Sequence, residues 1–193
     1  MMIRMRRKLP LLLALLYLLL PMISLAAAPV WQIIPSESSL TFTATQNGAP
    51  VTGEFKKFTA TINFDPVQLS GNNVKVVVDV GSVSDAYNQL ADTLKSADWF
   101  NVIKFPQAVF TANKFTKTGD KSYQADGMLT IRDKTLPVTL TFTQEEYSQN
   151  KARIKGSTTI KRTAFGVGQG EWADTSAIKD DVRIDFTISA TRK

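Results

Sequence analysis

Apolar and polar residues alternate along most of the chain, which is the pattern of β-strands with one buried face. In the segment that begins at Leu40, apolar residues occupy the even positions and threonines most of the odd ones. Short polar turns join most of these segments, so we predict antiparallel pairing of sequential strands. Eight strands are predicted, and their approximate starts are Leu40, Gly53, Val74, Gln107, Ser122, Leu136, Lys151 and Val182.

One segment has the period of a helix instead. Its apolar residues recur every three or four positions, which places them on one side of an α-helix. These residues are Val83, Tyr87, Leu90, Leu94 and Ala97. We therefore predict one short helix over about residues 83–97.

Directly after this helix, apolar residues are clustered rather than alternating. Successive side chains of a strand point to opposite sides, so such a cluster does not fit one face of a strand. We interpret it as a turn that presses aromatic rings into an apolar space and closes one end of a barrel. The cluster comprises Trp99, Phe100, Val102, Ile103 and Phe105, and Pro106 ends it.

The connection 165–179, before the last strand, is too long for a hairpin. Loops longer than about 12 residues inside compact domains are usually functional. This one contains Phe165, Trp172 and three glycines, a composition that suits a lid. The alternative is a surface loop whose Trp172 merely plugs the barrel end.

Eight strands with one apolar face each can stack as a sandwich or close into a barrel. Short sequential connections favour an up-and-down barrel, which also removes exposed edges. An eight-stranded barrel is either filled by side chains or holds one small ligand. Small residues at inward positions favour the hollow form, and they are Ala44, Ala60, Ala108, Ala112, Ala125, Gly127, Ala152 and Gly156. We predict an all-β, eight-stranded antiparallel barrel.

The N-terminal residues have the layout of a secretory signal peptide, with a basic start, a leucine-rich run over 9–20 and small residues over 24–28. We predict cleavage after Ala26, which leaves one domain, 27–193, in the periplasm. The alternative is an uncleaved membrane anchor, for which the apolar run is short. No transmembrane segment is expected after cleavage.

Charge and composition exclude several classes of function. The chain has 23 basic and 17 acidic residues, but four basic residues lie in the predicted signal peptide, which leaves 19 − 17, or +2. No nucleic-acid partner is therefore expected. Histidine and cysteine are absent, which excludes thiol nucleophiles, Ser-His-Asp triads and histidine-ligated metals. We predict a binding protein without catalytic residues or a metal site.

Several stretches resemble the YceI-like family, which comprises exported lipid-binding barrels of lipocalin-like shape. They include Leu94-x-Ser96-x-Asp98-Trp99-Phe100-Asn101, Phe105-Pro106-x-Ala108-x-Phe110, Gly127-x-Leu129-Thr130-Ile131 and Arg162-x-x-Phe165-Gly166-Val167. The resemblance implies an antiparallel barrel extended by a helix, with an isoprenoid or similar long apolar chain along its axis. Many members carry a histidine near the end of the first strand, where this chain has Gln46.

The segment 168–172, Gly-Gln-Gly-Glu-Trp, resembles the branch of that family associated with cytochrome-b type membrane proteins that handle quinones. This implies a polyprenyl quinone as one possible cargo and such a membrane protein as one possible partner.

The leading hypothesis is a periplasmic carrier of a polyprenyl lipid or quinone, with no other cofactor. The alternatives are a redox accessory that presents a quinone to a cytochrome-b type protein, and a structural or stress protein with a filled barrel. Lys104 and Arg162, with Gln46, are candidates to contact a polar head group, although both cations also fit a solvated basic rim. The predicted ligand-contacting wall residues are Phe42, Phe58, Ile62, Val78, Leu94, Trp99, Phe100, Phe110, Leu129, Leu140, Phe142, Phe165, Trp172, Phe186 and Ile188.

Overall fold

Eleven β-strands, one α-helix and four short 3-10 helices form the secondary structure of the described residues, 27–84 and 89–193, in this computed structural model. The predicted signal peptide, its cleavage point and residues 85–88 of the predicted helix lie outside these ranges. The helix α1 spans Gln89–Lys95. The strands are β1 Val30–Ile33, β2 Ser39–Gln46, β3 Ala49–Phe55, β4 Phe58–Asn63, β5 Asn73–Asp79, β6 Val83–Ser84, β7 Gln107–Lys117, β8 Ser122–Ile131, β9 Lys134–Tyr147, β10 Lys151–Lys161 and β11 Asp181–Arg192.

These strands make the eight strands of a closed barrel, because three barrel strands are interrupted. β1 and β2 are consecutive pieces of the first, β3 and β4 of the second, and β5 and β6 of the third. Every pairing is antiparallel, and β1 closes the ring by pairing with both β4 and β11. The predicted eight-stranded antiparallel barrel is confirmed.

The first two barrel strands differ in detail from the prediction. The second was expected to run unbroken from Gly53, but it begins at Ala49 and is interrupted at residues 56–57. The hairpin between β2 and β3 has a two-residue loop, since Gln46 pairs with Ala49 and the residues between them, Asn47 and Gly48, have φ angles of 49° and 80°. Such positive angles are the geometry that an Asn-Gly hairpin favours.

The helix is shorter than predicted. Val83 and Ser84 form β6 and pair with Phe55 and Glu54 of β3, so the helix does not begin at residue 83. It ends at Lys95, and the turns that follow carry Trp99 and Phe100. The apolar residues that predicted the helix therefore belong to two elements. Val83 is in strand β6, whereas Leu90 and Leu94 are in α1. No described helix has the length and apolarity needed to traverse a bilayer.

Small inward residues have two different roles in the barrel. Three glycines make room for phenylalanine rings: a Cβ atom on Gly53 or Gly127 would come within 2.5 Å of the ring of Phe42 or Phe110, and one on Gly156 would overlap Phe186. Gly127 and Gly156, which the sequence interpretation counted among the residues that favour a hollow interior, therefore do not enlarge it. Ala112 is buried but does not line the central space, whereas the other five alanines of the predicted set do, namely Ala44, Ala60, Ala108, Ala125 and Ala152.

Buried apolar residues collect into two clusters, one towards each end of the barrel. Strand β8 spans both, since Ile131 belongs to one cluster and Tyr123 to the other. The end of the barrel with the Ile131 cluster, where α1, the β2–β3 hairpin and residues 162–180 meet, is called the helix end. The opposite end, where β1 and residues 64–72 lie, is the far end.

Candidate functional site

A cavity of about 830 Å³ occupies the interior of the barrel. Its volume lies within the range of about 300–1,000 Å³ that is usual for small-molecule sites. All eight barrel strands contribute to its wall, together with α1 and the 162–180 segment, and most wall side chains are apolar. The barrel is hollow rather than filled, and this is the state that the small inward residues favoured in the sequence analysis.

Fourteen of the fifteen predicted wall residues line this cavity. Contact between any of them and a ligand stays a prediction. They are Phe42, Phe58, Ile62, Val78, Leu94, Trp99, Phe100, Phe110, Leu129, Leu140, Phe142, Trp172, Phe186 and Ile188.

Phe165 is the exception. It lies in the short 3-10 turn Thr163–Phe165 after β10, where it is 2% exposed and packs in the helix-end cluster instead of facing the cavity. Its prediction as a wall residue rested on its place in the loop 165–179 that suits a lid, and of the two aromatic residues in that loop only Trp172 lines the cavity.

Lys104 also lies away from the cavity. It is exposed, and its Nζ atom lies 5.3 Å from the centre of the Phe105 ring. Its neighbour Ile103 was expected to be part of the apolar cluster but is 97% exposed. The exposure of Lys104 agrees with the alternative of a solvated basic rim, and its contact with a head group stays a prediction. The part of the cluster that lines the cavity is Trp99 and Phe100, and Val102 is partly buried.

The cavity reaches solvent at the helix end. Exposed residues in its wall there are Gln46, Pro50, Thr52 and Gln89, which we call the mouth. The mouth lies beside β3, whose residues 49–53 pair with β2 and with no other described strand. Proline is tolerated at Pro50 because this edge is unpaired. Gln46 is thus at the opening, where its amide can donate to or accept from a polar group.

Arg162 holds the segment that covers the rest of the helix end. Its side chain is 3% exposed, so it is neither a solvated rim residue nor a free head-group ligand, although it borders the cavity. Its guanidinium nitrogens donate to five backbone carbonyls at 2.9–3.4 Å. These carbonyls belong to Val167, Gly168, Asp174, Ile178 and Lys179. Burial lowers the pKa of Arg162, with Asp180 opposing the shift.

Two tryptophans meet under this covering segment. The ring centres of Trp99 and Trp172 are 5.7 Å apart, and the Arg162 guanidinium lies 5.6 Å from the Trp99 ring. Both tryptophans line the cavity, which agrees with either a lid or a plug as the role of the loop. Trp99 Nε1 is buried and has no hydrogen-bond partner among the described residues.

Arg132 makes a second connection at the helix end that sequence analysis missed. It donates to the carbonyls of Ala97 and Trp99 and to the Gln169 side chain, so it joins the turn after α1 to the covering segment. The Asp98 carbonyl adds to this connection by accepting from the amides of residues 168 and 169, at 2.9 and 2.8 Å. In the sequence, Arg132 belongs to a short polar turn. Such a turn gives no information on partners that lie 33 to 37 residues away in the chain.

Four aromatic rings pack together at the far end, where the cavity wall also includes Trp31 and the 36% exposed Tyr147. We call Phe64, Phe115, Tyr123 and Phe142 the aromatic end group. The ring centre of Phe64 lies 5.3, 5.7 and 5.8 Å from those of Phe115, Tyr123 and Phe142, and the last two stack at 5.5 Å. All except Tyr123 line the cavity. Of these four, only Phe142 was among the predicted wall residues, although Phe64 and Tyr123 occur in phase with inward neighbours.

The electrostatics of the cavity are weak. Among the described residues in its wall, only Arg162 and Tyr147 have ionisable side chains, and the Arg162 donors are used by carbonyls. The described residues contain no group of three carboxylates that could hold a metal ion. An apolar chamber with a few amides and hydroxyls at its opening can hold an apolar molecule that has a small polar group.

Comparison with known proteins agrees with this architecture. The sequence model of the YceI-like domain matches residues 31–190. A UPF0312 protein of Shewanella baltica is 27% identical over 182 residues, which cover 91% of this chain and 93% of that protein.

Two solved structures are also similar. The crystal structure of BcnA from Burkholderia cenocepacia has a TM-score of 0.78 and 33% identity, and the match covers 82% of this chain and 99% of that one. A polyisoprenoid-binding domain from Saccharophagus degradans, implicated in plant cell wall breakdown, has a TM-score of 0.69. It is 13% identical, with 86% and 99% of the two chains covered, so this likeness shows the fold alone.

Proposed function

The chain belongs to the family of YceI-like domains, and from this membership and its apolar cavity we propose that it binds a long isoprenoid-type molecule inside the barrel and carries it. The observation that carries the proposal is the cavity of about 830 Å³, with apolar side chains along its length and polar ones at its mouth. The similar domain named for polyisoprenoid binding supports the ligand class.

The energetics are sufficient for such a ligand. Each buried methylene contributes about 0.8 kcal/mol, so ten of them contribute about 8 kcal/mol before the costs of ordering the ligand. The carrier needs no chemistry of its own, and the cavity wall offers no carboxylate, cysteine or histidine for any. We therefore propose a non-catalytic protein that acts in the periplasm, after removal of the predicted signal peptide.

Extraction of bound lipid tests this function. The full chain is exported in a bacterium, purified from the periplasm and denatured in organic solvent, and the extract is analysed by mass spectrometry. We expect about one prenyl-type molecule per chain, because the cavity volume suits one such ligand. An extract without stoichiometric apolar molecules from folded protein contradicts the proposal.

Two neighbouring substitutions on β4 control this experiment. Ala60 faces the cavity and Thr59 is exposed on the outside of the barrel. Ala60→Phe should lower the extracted lipid severalfold by filling the lumen, whereas Thr59→Phe should leave it unchanged. Equal lipid in both variants, with unchanged melting curves, would place the molecule on the outer surface instead.

A quinone is the second candidate cargo, with a redox accessory as the corresponding function. The observation that favours it is the pair of side-chain amides at the mouth, Gln46 and Gln89, which can donate to quinone carbonyls. The cytochrome-b type partner stays a prediction from the sequence resemblance. Loaded protein mixed with membranes should show cargo turnover in a redox-difference spectrum if it is an accessory, and none if it is a passive carrier.

A further inference from the structure

The far end of the cavity is built as a stop. Phe64 is the central ring of the aromatic end group and contacts its other three members at 5.3–5.8 Å. Most of these contacts are tilted or edge-to-face, which is a favourable geometry for aromatic pairs. Tyr123 is the cross-strand neighbour of Phe142 and stacks on its ring at 5.5 Å, although Tyr123 itself does not line the cavity.

The backbone around Phe64 is fixed independently of these ring contacts. Its amide donates to the Pro29 carbonyl at 3.1 Å, and its carbonyl accepts from Trp31 Nε1 at 2.9 Å. The segment that follows is fastened by Asn72, which is 1% exposed and exchanges two 3.0 Å hydrogen bonds with the backbone of Asp65. Phe64 is therefore held from both sides, unlike a residue on a loop that opens.

The exposed mouth and this stop lie at opposite ends of one chamber. A molecule that enters beside Gln46 and Gln89 with its tail leading reaches Phe64 at the far end of the wall, where Tyr147 is the exposed wall residue. One water occupies about 30 Å³, so the chamber of about 830 Å³ holds on the order of 28 groups of that size. A longer chain must displace a ring of the end group or leave its last units outside the barrel.

We propose that Phe64, supported by Phe115 and Phe142, determines the maximum length of prenyl chain that the barrel accepts. This inference rests on the proposed function, since it concerns the ligand of the same cavity. Phe64 is a specificity-determining residue in this account. It limits length because its ring occupies the space into which the next isoprene unit would extend.

A ladder of all-trans prenyl alcohols that differ by one isoprene unit tests the proposal. Binding to the full mature chain, stripped of lipid and refolded, is followed by the emission of the cavity tryptophans. For the native sequence we expect affinity to rise severalfold with each added unit, because each buries more methylene groups, and then to stop rising at a limiting length. Phe64→Ala should move that limit upwards by at least one unit.

Phe58→Ala is the matched control. Phe58 lies on β4, lines the same cavity and has the same alternation phase as Phe64, but it pairs with Val78 away from the far end. Its truncation widens the chamber without lengthening it, so the limit should not move. Phe115→Ala provides a second end-group variant, with the same expected shift, if Phe64→Ala does not refold.

Each outcome decides between the two proposals. A limit that moves in the end-group variants alone supports the assignment of Phe64. An unchanged limit in those variants, an equal shift in Phe58→Ala, or a native protein without any limit overturns it while leaving the carrier function intact. Failure of the native protein to bind any prenyl alcohol overturns the proposed function itself.

Discussion

The two ends of the barrel are closed by different kinds of interaction. At the helix end, Arg162 and Arg132 bind backbone carbonyls and hold the covering segment over two tryptophans. At the far end, aromatic rings pack against each other, and Asn72 fastens the segment outside them. The first closure depends on polar contacts around exposed loops, and the second mainly on close packing, so the helix end is the one suited to admit a ligand.

Arg162→Ala should lower the stability of the helix end, and this is the largest of the expected effects. Five carbonyls lose their donor, and we expect the free energy of unfolding to fall by about 4 kcal/mol. Hydrogen exchange should accelerate at the amides of Gly168 and Gln169 before those of β1. Arg183→Ala is the control, because its ion pair with Asp185 is exposed and contributes about 0–1 kcal/mol. Equal losses in both variants would contradict the role given to Arg162.

Asn72→Ala makes the corresponding change at the far end. The backbone amide and carbonyl of Asp65 lose their partner, which should lower the free energy of unfolding by about 2 kcal/mol. Asn73→Ala removes an exposed neighbour and should cost less than about 0.5 kcal/mol. Chemical denaturation measures both values, and an Asn72 variant as stable as the Asn73 variant would show that the far end does not need this fastening.

Tryptophans at the two ends offer a subtler comparison. Trp31 Nε1 donates to the Phe64 carbonyl, whereas Trp99 Nε1 has no partner among the described residues. Replacement by phenylalanine removes similar volume at each, so Trp31→Phe should be more destabilising than Trp99→Phe by about 1 kcal/mol, the value of the lost hydrogen bond. Thermal unfolding of both variants measures the difference, and a reversed order would disprove the explanation.

Acid should loosen the helix end first. Burial raises the pKa of Asp180, but hydrogen bonds from the Thr163 amide and hydroxyl, with Lys161 and Arg162, outweigh it and lower that pKa below its usual value. The folded state therefore gains stability from Asp180 above a pH of about 4, and loses it as pH falls through the lowered pKa. Asp180→Asn should flatten the acid limb of the stability curve, and Thr163→Val should flatten it partly. An unchanged acid limb in Asp180→Asn would contradict this.

Alternation of residue types predicted most of the barrel and most of its wall. The parity of Phe42, Leu140 or Phe186 within a strand determines which side of the sheet it faces, so these side chains could be placed in the wall from sequence. Alternation gave no information on Phe165, which was assigned to the wall as part of a lid-like loop and lies instead in a buried 3-10 turn after β10. The YceI-like family resemblance is confirmed by the match over residues 31–190.

The closures of the two ends could not be predicted in the same way. An arginine has the same sequence signal whether it is solvated or buried, and the partners of Arg162 lie up to 17 residues away in a segment without periodicity. The helix boundary failed because Val83 pairs with Phe55 of β3, a contact set by the barrel rather than by local spacing. The aromatic end group requires rings from four separate strands or turns to converge, which only tertiary structure supplies.

Closure of the ring by β1 has a consequence for how the protein folds. Trp31 pairs opposite Ile62 on one side and opposite Arg192 on the other, so one edge of the first strand finds its partner only when nearly the whole chain is present. Pairings of such large sequence separation slow folding. Until the C-terminal strand is available, one edge of the N-terminal strand stays unpaired, which makes this early intermediate the stage most exposed to aggregation and to capture by chaperones.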